Sequence, residues 1–292
     1  MDTQKAIHIY QYSERIKSEL ISNEIVHFVK DYGASRQLNT KWDKPLIGFA
    51  DAGDSLFPKL KELVGPTHAM PQDLLPDAQT VIAYFLPFEK KIPKTNRRNP
   101  YASKEWVFAY IETNQLVIDI NNRISETLSK KGFNTFLLPP THNFDTNTLI
   151  SDWSHKHIAY IAGLGKFGTH HLLITDKGCC GRLGSVVTNA QIDATKRTEK
   201  EYCLSKFKDI CKVCVKKCVN EALKVDTFDR QKCYKMLLEN AEIFKKEGLA
   251  DVCGKCISIV PCSYQNPVEK LSKIEPREFR TRRSKSFQTR NA

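Results

Sequence analysis

No stretch of the 292-residue sequence approaches the ~20 consecutive apolar residues that a membrane-crossing helix needs. The opening residues, MDTQKAIHIYQYSERIKSEL, hold neither an apolar signal core nor a small-residue cleavage site. These absences exclude a helical membrane protein, and the sequence predicts a cytoplasmic chain with no membrane partner. Internal repeats and long low-complexity segments are missing too, which argues against a solenoid. Acidic residues are in deficit: 33 Asp and Glu against 45 Lys and Arg leave a formal charge of +12. That balance suits RNA, a phosphate-bearing cofactor or an acidic electron donor, and it also serves solubility.

What is present is a hydrophobic content of 41%, enough to bury the core of one medium domain and a smaller one. Ile16, Leu20, Ile25 and Phe28 predict a first helix from Tyr10 to about Lys30, and KPLIGFADAGD and TVIAYFLPF read as strands. In ETNQLVIDINNRISETLSKKG, Leu116, Ile120, Ile124 and Leu128 share one helical face, and Lys130, Lys131 and Gly132 are stop signals. NTFLLPP is a further short strand. Alternating helices and strands imply an α/β (α+β) domain over residues 1–195. Composition then changes. Eight of the ten cysteines fall between Cys203 and Cys262, within a lysine-rich module expected over residues 196–268 whose long helical run is YKMLLENAEIFKKEG. Residues 269–292 form a basic tail carrying Arg277, Arg280, Arg282, Arg283, Lys285 and Arg290.

Gly163, Gly165 and Gly168 stand in the Gly-x-Gly-x-x-Gly spacing of a dinucleotide-binding loop. In that loop a strand precedes the glycines and a helix follows them, so that phosphates meet the helix N-terminus. Here SDWSHKHIAYIA upstream has helical spacing, and HLLIT and RLGSVVTN downstream are strand-like. The order is reversed, which argues against a nucleotide site.

The eight clustered cysteines are Cys203, Cys211, Cys214, Cys218, Cys233, Cys253, Cys256 and Cys262. In a reducing compartment they point to metal or redox chemistry rather than disulfides. Cys211-x-x-Cys214-x-x-x-Cys218 matches the last three cysteines of a bacterial ferredoxin motif, whose final cysteine crosses to a second cluster. Cys253-Gly254-Lys255-Cys256 lets two thiolates meet one cluster from a tight turn, and Cys262 closes the first set. Two four-thiolate zinc sites are the competing reading, which the interleaving disfavours. Buried inert thiols are the bland one.

Glycine turn and cysteine module together resemble the epoxyqueuosine reductase family, cobalamin-dependent iron-sulfur enzymes related in their core to reductive dehalogenases. The resemblance rests on AGLGKFGTHHLLITDKGCCGRLGSVVT followed by CKVCVKKC and CGKC, and spans most of residues 40–266. It implies a cobalamin-binding α/β core followed by a ferredoxin-like domain with two four-iron four-sulfur clusters. Cys203, Cys211, Cys214 and Cys262 would hold one cluster, and Cys218, Cys233, Cys253 and Cys256 the other. The corrin, without a lower protein ligand, would lie between the two domains against Gly163, Gly165, Phe167, Gly168, Arg182 and Gly184. Electrons would come from a low-potential ferredoxin or flavodoxin, and the substrate would be the epoxide of queuosine synthesis or a related compound. The sequence departs from the family where Lys208 replaces the first cysteine, where Val219 replaces a proline, and in the long Cys256 to Cys262 spacing. Against the family pattern, the helical-repeat extension that holds transfer RNA is expected to be missing. The basic run Lys90, Lys91, Lys94, Arg97 and Arg98, with the tail, would have to make any tRNA contact.

Reducing an epoxide to an alkene takes two electrons and two protons, so an acid is required. FDTNTLISDWSHKH offers Asp145, Asp152, His155 and His157. Asp145-Thr146 resembles an Asp-Thr pair of the family, and Asp152 also suits a helix cap. His170 and His171, adjacent on an expected strand, would face opposite ways, and Cys179 and Cys180 read as packing or corrin-edge residues. The rivals to the reductase are an electron-transfer protein without substrate chemistry and an RNA-binding zinc protein.

Overall fold

The computed structural model describes residues 15–271. Its elements run α1 (Ser18–Ser35), β1 (Leu46–Asp51), α2 (Leu56–Leu63), α3 (Pro71–Leu74), β2 (Thr80–Pro87), α4 (Lys91–Thr95), α5 (Lys104–Ser129) and β3 (Thr135–Leu137). They continue with α6 (His155–Ile161), β4 (Gly165–Phe167), β5 (Leu173–Thr175), β6 (Gly181–Thr188), α7 (Leu204–Lys208), α8 (Val213–Lys216) and α9 (Arg230–Ile243). The main sheet has the order β1-β2-β6-β3. Every pairing in it is antiparallel.

Strand β2 is buried along its whole length, so it reads as a continuous apolar run, and alternation still decides which side chain meets which layer. Ile82, Tyr84 and Leu86 pack with α1 and α5 residues such as Ile25, Leu116 and Ile120. Val81, Ala83 and Phe85 pack on the other face with Phe57 of α2 and Ile158 and Ile161 of α6. Helices on both faces of an antiparallel sheet make the domain α+β in its pairing.

Helix α5 buries Leu116, Ile120, Ile124 and Leu128, the face that its spacing predicts. It begins earlier than its periodic stretch, at Ser103, whose hydroxyl accepts from the Trp106 amide. The added turns carry Trp106 and Tyr110. Helix α1 corrects the expected face: Ile21, Ile25, Val29 and Tyr32 are buried, whereas Leu20 is 38% exposed. Leu20 and Phe28 sit one residue off this stripe, and one residue rotates a side chain by about 100°. The Tyr10 to Glu14 part of the expected helix, like the arginines of the tail, lies outside the described residues.

The cysteine region shares a core with the sheet domain. Cys203, Cys214 and Cys262 are buried with Phe88 after β2, with Trp106 and Val107 of α5, and with Cys179 and Cys180 before β6.

Candidate active site

Cys203 caps α7, Cys214 lies on α8, and with Cys211 and Cys262 they surround one small void. Cys218, Cys233, Cys253 and Cys256 line a second, much larger cavity of about 570 Å³. The electrostatics follow the same division. Burial and then Cys262, Cys203 and Cys211 push the Cys214 thiol up to about 11. Burial, Cys253 and Cys218 push Cys233 up to about 12. Cys256 is raised well above its ordinary value by burial, then by Cys253, Cys233 and Cys218, and last by Cys214, where the two sets meet. Thiols that raise one another in this way resist ionising together, and a bound cationic centre reverses that penalty. The donor sets therefore fit soft metal centres.

The turn from Cys253 to Cys256 is held from both sides. Gly254 has a φ of +68°, open to glycine, and its Cα packs on the Trp106 indole. Lys255 donates from Nζ to the carbonyls of Asn96 and Arg98, each at 2.8 Å, and Asn96 Nδ2 donates to Cys253 O at 2.8 Å. The exposed basic run from Lys90 to Arg98 is thereby tied to a thiol-bearing wall.

His170 adds a nitrogen to the smaller void. Its Nδ1 accepts from the Leu172 amide at 3.1 Å, so Nε2 carries the proton and donates to Cys262 Sγ at 3.4 Å. The ligating atoms of His170, Cys179 and Cys262 all lie within 4.8 Å of one another. His170 and His171 do diverge, but from the turn between β4 and β5 rather than from a strand. His171 has a φ of +58° and stacks on Phe228.

Aromatic side chains wall the large cavity, among them Phe85, Phe88, Trp106, Phe144 and Tyr234. Its polar groups converge on Asp251, which is 8% exposed. Tyr110 Oη donates to one carboxylate oxygen at 2.8 Å, and His142 Nε2 meets the other at 3.1 Å. The Arg182 guanidinium lies 4.4 Å from the Tyr110 ring centroid and donates to Asn114 Oδ1 at 2.7 Å and Pro140 O at 3.1 Å. Burial raises the Tyr110 pKa, and the Arg182 charge opposes that rise. Two buried donors, Trp106 Nε1 and Arg182 Nε, have no partner among the described residues. Orphaned donors of this kind are expected where a ligand accepts from them.

Of the four expected acids, His155 lines this cavity, whereas Asp145, Asp152 and His157 do not. His155 is engaged at both nitrogens, with Ser185 Oγ at Nδ1 and Pro139 O at Nε2, each at 2.9 Å. Burial lowers its pKa to about 4, so it is neutral at physiological pH. Asp145 holds its own loop, accepting from the Asn147 and Thr148 amides and the Thr148 hydroxyl, which lowers its pKa. Asp152 accepts from Thr67 Oγ1 at 2.6 Å, and the residue at the cap of α6 is Ser154, not Asp152. His157 bonds Ser154 Oγ at 2.7 Å and lines a separate cavity of about 480 Å³ with Phe167, Gly168 and Lys206.

Of the residues expected against a corrin, Arg182 lines the large cavity, and Gly163, Gly165, Phe167, Gly168 and Gly184 do not. The close approach that Gly165 permits is internal: a Cβ there would sit 2.0 Å from Ile174 O across the β4 and β5 hairpin. Sequence reasoning missed Tyr110, His142 and Asp251. Tyr110 lies on the buried face of α5 and reads as core, and the other two belong to loops. A usable signal was the acidic side chain two residues before Cys253 in ADVCGKC.

No family model matches the sequence, and no curated protein matches it either. Solved structures do. Epoxyqueuosine reductase from Streptococcus thermophilus aligns with a TM-score of 0.51 at 20% identity, over 83% of this chain and 66% of its own. The Bacillus subtilis epoxyqueuosine reductase aligns with a TM-score of 0.52 at 17% identity, over 84% and 66%. A reductive dehalogenase whose structure is described as suggesting a mechanism for B12-dependent dehalogenation aligns with a TM-score of 0.52 at 13% identity, over 78% and 32%. The chain thus spans 66% of the length of these epoxyqueuosine reductases and has the fold that they share with reductive dehalogenases.

Proposed function

We propose that the chain is a cobalamin-dependent reductase with two four-iron four-sulfur clusters, acting on an epoxide of queuosine synthesis or a comparably reducible organic compound. One observation carries this reading. The four thiols Cys218, Cys233, Cys253 and Cys256 form a wall of the same cavity that Tyr110, His142, Arg182 and Asp251 enter. An electron carrier without substrate chemistry has no use for such a cavity.

Cys203, Cys211, Cys214 and Cys262 would hold one cluster, and Cys218, Cys233, Cys253 and Cys256 the other. Trp106 Nε1 and Arg182 Nε are donors for polar edges of a corrin, and the aromatic walls suit its apolar body. When bound, these groups would supply single electrons from the clusters and a strongly reducing cobalt centre. The protein's own task is the proton. Tyr110 donates toward Asp251, and His142, on the other carboxylate oxygen, reaches the more open side, so the three form a route from solvent to the cavity. The Arg182 charge beside Tyr110 favours the phenolate left when a proton departs.

A solved epoxyqueuosine reductase is described in complex with an epoxyqueuosine-modified tRNA-Tyr stem loop. For this chain the exposed basic run Lys90 to Arg98, tied to the Cys253 turn, supplies phosphate contacts beside the cavity. Anaerobic purification with iron, cobalt and zinc analysis tests the reading. About eight irons per chain are expected from two four-iron clusters, together with retention of added cobalamin. Stoichiometric zinc with negligible iron would refute it.

A further inference from the structure

Resting on the two-cluster reading, electrons leave through the thiol set that lines the large cavity, so they must enter through the other. The segment that carries Cys211 and Cys214 is LSKFKDICKVCVKK, residues 204–217. It holds Lys206, Lys208, Lys212, Lys216 and Lys217 against a single acid, Asp209. Lys212 Nζ pairs with that acid at 3.2 Å. The five residues from Lys206 to Ile210 are all exposed. Two of them are large and apolar, Phe207 at 41% and Ile210 at 55% exposure. Asp209, at a φ of +52°, ends α7 and turns the chain into the half-buried Cys211.

A solvated run of lysines has no need of an exposed phenylalanine and isoleucine among them in sequence, although Lys208 Nζ lies over the Phe207 ring at 5.2 Å. Apolar residues inside a charged rim are the anatomy of a protein interface. None of residues 204–217 lines the large cavity, so an RNA presenting its base there would find this segment away from its reacting group. We propose that the exposed residues Lys206, Phe207, Ile210, Lys216 and Lys217 of this segment dock an acidic, low-potential protein electron carrier. Each docking event passes one electron from the carrier's reduced centre to the cluster held by Cys203, Cys211, Cys214 and Cys262. Two events supply the two electrons that one substrate consumes, and the carrier leaves oxidised by one electron each time. Opposite charge speeds the encounter, and salt screens it.

The test uses the full chain, loaded with clusters anaerobically, and follows cluster bleaching in stopped flow. Reduced acidic two-iron ferredoxin is one reductant and a reduced viologen is the other. In the K206E/K216E/K217E variant, the ferredoxin rate should fall at least tenfold and lose most of its salt dependence, with the viologen rate unchanged. F207S/I210S should also slow ferredoxin alone, without altering the salt dependence. An unchanged ferredoxin rate in both variants overturns the proposal. So does loss of poly(U) RNA binding with the ferredoxin rate preserved, which assigns the segment to nucleic acid. Parent protein without iron overturns the cluster reading and the docking site with it, and iron analysis reveals that before any rate is measured.

Discussion

Replacing Gly254 by alanine sets the thiol turn directly against α5. The new Cβ would lie 2.2 Å from Cζ2 and 2.3 Å from Cε2 of Trp106. Carbon atoms in good contact stand about 3.5–4.0 Å apart, so indole or turn must yield by about 1.5 Å. The indole has little freedom: it is 3% exposed and meets the Phe88 ring edge-on at 5.4 Å. Overpacking of this kind costs about 1–3 kcal/mol. The left-handed φ of +68° adds about 1 kcal/mol for any residue with a Cβ. Gly254→Ala should therefore lose about 2–4 kcal/mol in urea denaturation. The turn is anchored through Lys255 and Asn96, so the displacement passes to Cys253 and Cys256, and the variant should also lose iron from one cluster. Trp106→Leu removes the obstacle at the cost of a cavity, about 3 kcal/mol. In that background Gly254→Ala should cost only the backbone part, about 1 kcal/mol. Equal costs of Gly254→Ala in both backgrounds would refute the steric argument.

Cys214→Ser and Cys253→Ser should each abolish a different paramagnetic cluster signal, and loss of the same signal from both would dissolve the two-set assignment. Asp251→Asn and Tyr110→Phe should each slow substrate reduction by about a hundredfold in steady-state assays, the scale of a lost proton relay, with iron content unchanged. His170→Phe removes the Nε2 donor to Cys262 and should shift that cluster to a more negative midpoint potential in a redox titration, since hydrogen bonds to sulfur favour the reduced state. His155, lowered to about 4 when folded, binds its proton more readily in the unfolded chain, so its contribution is complete above pH ~6.5 and is lost as pH falls toward 4. A shift of this size corresponds to about 3 kcal/mol, and His155→Gln should flatten the decline in urea midpoint over that window relative to the parent.

The long periodic elements were legible. The buried stripe of α5 and the wholly buried, mostly apolar β2 announce themselves because burial along one face, or along both, leaves a pattern in the residues themselves. The face of α1 was not, because Leu20 and Phe28 are apolar yet lie beside the stripe, and composition alone does not tell a rim from a core. Antiparallel pairing of β2 with β6 joins strands nearly a hundred residues apart, so no local pattern encodes it. Cys211 and Cys214, two residues apart, share the small void because so short a separation forces a tight turn, whereas Cys218, three residues beyond Cys214, lines the large cavity. The Tyr110, His142 and Asp251 group was illegible for the opposite reason: Tyr110 and Asp251 are 141 residues apart, and the tyrosine is spaced like core.

Between the thiol set of the smaller void and the large cavity runs one short piece of chain, Cys179 to Arg182. Its amides at Cys179 and Cys180 bond the carbonyls of Cys262 and Ser263 at 3.0 and 3.1 Å, and Cys180 O accepts from the Phe88 amide at 3.0 Å. Three residues beyond Cys179, Arg182 projects beside Tyr110. On the proposed function, this piece would act as a ruler that fixes the spacing between that thiol set and the Arg182 charge. Moving Arg182 would pull on Cys179 and Cys180, and through their amides on Cys262 and Ser263. On the proposed function, a different substrate would be met more freely by the loop from Pro140 to Leu149, which lines the cavity and is bonded to neither thiol turn by any backbone hydrogen bond among the described residues.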